Sequence, residues 1–160
     1  DNQINFIKSL NTTGKKVIVM THHNPTNVEG TQTAPLPLWN QLVTALGHPP
    51  DIWYWGHVHN GIVYSDQSFP GQNRVKARCN GHAAIPFGIA YGLQNADGST
   101  IPSVEYFAHE LLSSVYEKTD VQQANRVLCG FAMLTLGSDS INEQFIDQTG
   151  MVRWSQTTAL

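Results

Sequence analysis

Trp53–Asn60 reads WYWGHVHN: aromatic side chains run up to a glycine, and two histidines follow with one valine between them. Asp51–Trp55 has the apolar, aromatic texture of a buried strand. Gly56 lets the backbone turn sharply as it leaves the sheet. His57 and His59, two positions apart, are then expected to project to the same side. Imidazole nitrogens suit Zn, Fe, Ni and Mn-type ions, and a loop at a strand end can hold two rings in place. The plain alternative is a pair of surface turn histidines, polar enough for a loop and nothing more.

Thirty-five residues earlier the pattern recurs. Val17–Met20, VIVM, reads as a short strand buried on both faces, and Thr21-His22-His23-Asn24-Pro25 breaks it. Between the two strands, Leu38–Leu46 has helical spacing and Gly47 closes it. A strand–helix–strand connection implies parallel neighbours. In such sheets ligands bind beyond the carboxyl ends of the strands. His22, His57 and His59 would then converge on one sheet edge. Three imidazoles at two strand ends argue against the turn-histidine alternative.

The rest of the chain is read more coarsely. Gln3–Leu10 carries Ile4, Ile7 and Leu10 at helical spacing, with Asp1 or Asn2 as cap. Gly61–Ser65 looks like the return strand of a hairpin after an Asn60-Gly61 turn. Gln67–Asn73 reads as loop, Arg74–Cys79 as a strand, and Asn80–Gly88 as a turn-rich segment holding His82. Val104–Val115 fits either helix or strand. Arg126–Leu136, Ile141–Ile146 and Met151–Trp154 form an expected β-meander. The class is α/β. One domain of 160 residues is expected, with a motif-bearing core over 1–65, a loop-rich region over 66–120 and the meander over 121–156.

Composition excludes several functions. Charged residues are 13%, about half the usual ~25%, and net charge is −3 with no Lys/Arg run, so a nucleic-acid backbone is not an expected partner. The longest apolar run, near Val127–Leu136, is too short to cross a bilayer. The first residue is not Met and no leader-like segment follows it; the compartment is not legible, with the cytoplasm as the default expectation. Cys79 and Cys129 read as free thiols rather than a disulfide. Of seven histidines, five lie before residue 60.

VIVMTHHNP (Val17–Pro25) and WGHVH (Trp55–His59) resemble the last two motifs of the calcineurin-like metallophosphoesterases. The resemblance covers residues 1 to about 65 well, and extends loosely through NGHAAIPFG and the meander. It implies one half of a four-layer αββα sandwich. It also implies that His22 and His57 ligate one ion of a dinuclear pair (Mn, Fe, Zn or Ni type) and His59 the other. Phosphate mono- or diesters are the implied substrates, attacked by a metal-bridged hydroxide. His23 would either orient His22 or touch substrate, against a plain loop histidine packed on the sheet edge. Asn60 would bond to the histidine loop, against simply forming the tight turn. His82, beside Gly81, would sit on the pocket rim with the glycine giving room for a ligand.

The family's earlier motifs have no counterpart here: there is no Asp-x-His, no Gly-Asp-x-x-Asp and no Gly-Asn-His. Two dications that close repel strongly without a bridging anion. The expectation is therefore a C-terminal part of such an enzyme, inactive alone, whose N-terminal half is a missing partner. Two other readings stay open. One is a mononuclear three-histidine metal enzyme, although Asn60–Asp66 lacks the Glu that cupin-like sites add. The other is a half-domain that binds partners, or itself, along an exposed sheet edge.

Overall fold

The computed structural model describes residues 2–31, 36–66, 75–84, 90–111 and 126–159. Asp1 as a cap, the Gln67–Asn73 loop, the end of the Asn80–Gly88 segment and Leu112–Val115 fall outside them.

The chain is mixed α/β, with one five-stranded and one three-stranded sheet. Helix α1 is Asn2–Ser9 and strand β1 is Ile18–Thr21. Helix α2, Pro37–Leu46, starts on a proline whose missing N–H would have been unpaired in any case. It ends where Gly47 takes φ 81° and donates its N–H to Val43 O at 2.9 Å. Trp39, Leu42 and Ala45 form its buried stripe. Strand β2, Ile52–Trp55, follows and pairs parallel to β1, as the strand–helix–strand pattern requires.

All four β2 residues are buried because the sheet is covered on both faces. Trp53 and Trp55 point toward α2, where Trp39 stacks on Trp53 at 5.4 Å. Ile52 and Tyr54 point the other way, into a core shared with Ile141 and Phe145 of the second sheet. The tryptophans are core anchors, each removing a large apolar surface from water.

The hairpin expected after Asn60 does not form. Strand β3, Gly61–Tyr64, is separated from β2 by β4, Lys76–Asn80, in the order β1-β2-β4-β3-β5. β4 runs parallel to β2 and antiparallel to β3. Strand β5, Val104–Phe107, pairs with β3 and resolves the ambiguous segment as strand over those residues. Neighbouring strands lie about 4.8 Å apart, so the chain from β2 to β3 must span about twice that. A tight Asn-Gly turn cannot; residues 56–60 form an arch instead.

β1 is not buried on both faces as expected, because it is the edge strand. Ile18 packs toward the second sheet, yet Met20, two residues along, is 70% exposed. Against this edge, α1, β1 and α2 enclose an apolar groove of about 710 Å³ lined by Phe6, Ile7, Val19, Leu38 and Leu42 among others.

The meander is present as β6 (Gly130–Leu136), β7 (Ser140–Asp147) and β8 (Val152–Ala159), all antiparallel. β6 starts later than expected, since Val127 bridges to Leu111 instead. β8 runs five residues past Trp154; its polar SQTTA tail is held by backbone pairing to β7. Among the described residues, no helix is long and apolar enough to cross a membrane.

Candidate metal centre

β1 and β2 end side by side, with Thr21 paired to Trp55, and the chain continues from both into histidines. The His22 carbonyl accepts the N–H groups of Gly56 at 3.2 Å and His57 at 2.8 Å, so the ladder extends one step into the loops. This holds His22 and His57 opposite each other. His22 Nε2 and His57 Nδ1 are 3.2 Å apart.

The neighbouring loop is held from below. Trp53 Nε1–H donates to Thr21 Oγ1 at 2.9 Å, and the Thr21 hydroxyl donates to the His23 carbonyl at 2.8 Å. Tyr64 Oη–H donates to Val28 O at 2.8 Å farther along the same loop. The three rings of His22, His23 and His57 lie with centroids 4.9–5.1 Å apart. One nitrogen from each falls within 4.8 Å of the other two, and all three side chains are exposed. Among the described residues, no other set of His, Cys, Asp or Glu groups comes together this way.

His59 is not in that set. It sits half-buried in the arch, where the backbone is no longer extended and the i, i+2 rule for side-chain direction lapses. Asn60 is buried 4% exposed at the far end, its Nδ2 donating to Ala108 O at 3.4 Å. It secures the entry to β3. His82 is likewise buried, 3% exposed and stacked on Phe145 of the second sheet, so it is not on a rim.

Gly81 has a different task from the one expected. It lies where β4 ends beneath the arch, and donates its N–H to Asn60 O at 3.0 Å. A Cβ there would stand 1.8 Å from Val58 O and 2.6 Å from Gly56 O. The close approach is to the histidine arch itself, not to a ligand. Cys79 reinforces it, its thiol lying 3.2 Å from Val58 O and 3.3 Å from Asn60 O, with its single proton shared between the two carbonyls. Cys79 is fully buried, which pushes its thiol up to about 12, and it packs beneath the arch. Both cysteines are free.

Gly81→Ala is expected to cost about 1–3 kcal/mol, since backbone carbonyls cannot swing aside as a side chain would. Urea unfolding measures the loss. The imidazole NMR signals of His57 should shift in the same variant while those of His109 stay in place.

Sequence reading did not place His23 with the ligands; the adjacent THH triplet was its one signal. The Trp53–Thr21–His23 chain had no signal, because it joins residues 32 apart. No family model matches this chain, and no curated protein matches it.

The donor set fits one ion. Three neutral imidazoles can satisfy a borderline first-row cation, with a coordination position left over. A second ion alongside would need anionic ligands, and among the described residues no carboxylate joins the group.

Proposed function

We propose that this chain is the C-terminal, ligand-bearing part of a metal-dependent phosphoesterase of the calcineurin-like type. The observation that carries this reading is the meeting of His22 and His57, at 3.2 Å, on the carboxyl ends of two parallel strands. Those strands end in the His-His-x-Pro and Gly-His-x-His patterns. The helices-on-sheet, sheet-on-sheet layering supports half of a four-layer αββα sandwich as the wider architecture.

In this reading His22 and His57 hold one ion, and His59 contributes to a second once carboxylates are supplied from an N-terminal half. The exposed edge of β1, Met20 and the apolar groove beside α1 are where that half would pack, adding strands to β1. The ions, when bound, supply Lewis acidity toward a phosphoryl oxygen and lower the pKa of water. The chain's own part is to hold the imidazoles. The backbone bonds at the His22 carbonyl and the Thr21–His23 link set two loops in register, so little ordering remains for ion binding to impose. By itself the chain is expected to be inactive.

The test is made on the protein as its own cell produces it. An intact mass well above 17.7 kDa, with Asp-x-His and Gly-Asn-His in the added residues, is expected. That protein should hydrolyse bis(p-nitrophenyl) phosphate or p-nitrophenyl phosphate with Mn²⁺. Removing one ion's ligand forfeits several kcal/mol of transition-state stabilisation, so His57→Ala should lower kcat/KM by roughly 10³-fold. Absence of hydrolysis of either ester, or full activity in His57→Ala, overturns the reading.

A further inference from the structure

We infer that this chain, with no carboxylate supplied from elsewhere, binds one zinc-class ion through His22, His23 and His57. The claim goes beyond the phosphoesterase reading, in which His23 is not a ligand and His59 is.

Geometry is the first argument. Zn–N bonds of about 2.0–2.1 Å at a tetrahedral centre put ligand nitrogens roughly 3.3–3.4 Å apart. His22 Nε2 and His57 Nδ1 already stand at 3.2 Å. One nitrogen from each of the three rings lies within 4.8 Å of the other two, so bringing any pair to the tetrahedral spacing needs about 1.5 Å of closure at most. An exposed imidazole covers that by small rotations of χ1 within its staggered well and of its broad χ2.

Chemistry is the second. Three imidazoles without thiolate or carboxylate select Zn²⁺, Co²⁺, Ni²⁺ or Cu²⁺ over Mg²⁺ and Ca²⁺, which want oxygen. Three protein ligands leave a fourth position to solvent, the pattern of open zinc sites and not of closed structural ones.

Support of the ligands is the third. The His22 carbonyl takes two N–H bonds from the β2 exit, tying two ligands into one ladder. Thr21 Oγ1, itself held by Trp53, anchors the His23 carbonyl. Backbone positions of all three ligands are thus set by the ends of two hydrogen-bonded strands. His59 lacks this placement, being carried half-buried over the end of β4.

The experiment titrates the 160-residue chain with Zn²⁺ against a chromophoric chelator, and with Co²⁺ followed by visible absorption. One ion per chain is expected. His22→Ala, His23→Ala and His57→Ala should each weaken binding by at least about 100-fold, the upper end of what losing a mere supporting residue costs. His59→Ala should stay within about threefold of the parent. In the unaltered protein, Zn²⁺ should move the imidazole NMR signals of His22, His23 and His57 and leave those of His59 and His82, a readout that needs no variant to fold. Loss of binding in His59→Ala with retention in His23→Ala overturns the inference and leaves the phosphoesterase reading intact. Failure to bind one ion per chain also overturns it, whereas the phosphoesterase reading stands or falls on hydrolysis by the longer protein.

Discussion

Glu143→Ala is expected to lower the unfolding free energy by about 3–5 kcal/mol, measured by urea titration at neutral pH. Glu143 on β7 and Arg78 on β4 face each other across the two sheets, 0% and 1% exposed, with Arg78 Nε donating to Glu143 Oε1 at 3.1 Å and Nη2 to Oε2 at 3.2 Å. The Tyr54 hydroxyl donates to the same carboxylate. Arg78 also donates to Gln156 Oε1 at 3.1 Å, and its guanidinium lies 4.8 Å from the centre of the Trp154 ring. Arg78 Nη1 donates to Ala77 O at 3.0 Å and Tyr64 O at 3.4 Å, so each guanidinium nitrogen has an acceptor.

Removing the carboxylate leaves a buried guanidinium and a buried phenol without their shared acceptor. That penalty, and not the attraction of the pair, sets the size of the effect. A whole domain of this kind is stable by about 5–15 kcal/mol, so roughly a fifth or more would be lost. The double variant Arg78→Met/Glu143→Leu provides the contrast. With both charges gone it should recover most of the loss. A double variant as unstable as Glu143→Ala would show that the network supplies net attraction of its own.

The second large effect is acid lability centred on His82. The ring is enclosed on three sides: a Cβ on Gly61 would lie 2.7 Å from it, a Cβ on Gly130 2.4 Å, and Phe145 stacks on its face at 5.9 Å. Among the described residues Nδ1 has no hydrogen-bond partner. Burial lowers its pKa from 6.5 to about 4, with the Glu110 carboxylate opposing weakly. The folded state thus resists the proton and the unfolded chain accepts it. Stability is complete above about pH 6.5 and falls as pH drops toward 4. At about 1.4 kcal/mol per unit, the loss reaches roughly 3 kcal/mol near pH 4. Urea midpoints taken between pH 7 and 4 should show it, and His82→Gln should flatten that part of the profile. A wild-type profile level across this window would remove His82 as the cause.

Sequence reading went furthest where chemistry is local. The α2 helix was legible from apolar spacing and Gly47, since capping and periodicity act within a turn or two. The IWYW strand was legible because β2 is covered on both faces and needs no alternation. His22 and His57 could be placed together because a strand–helix–strand unit has so few ways to close. Reading failed where a residue's role depends on a strand inserted from elsewhere. β4 enters between β2 and β3, which turned an expected hairpin into an arch and left His59 out of the group that His22, His23 and His57 form.

The same insertion gave Gly81 its purpose, and no feature of NGH taken alone says that a backbone arch passes over it. Arg78 and Glu143 look like two surface charges in sequence; they become a buried pair because the second sheet folds over the first. By itself, the sequence determined the first helix, the strand–helix–strand unit of β1, α2 and β2 with its parallel order, the closing meander, and the residue types able to hold a metal. Only the tertiary structure decided strand order, which strand is an exposed edge, and that His23, not His59, joins His22 and His57. Periodicity and caps depend on neighbours along the chain, whereas strand insertion and sheet-on-sheet burial depend on contacts between residues tens of positions apart.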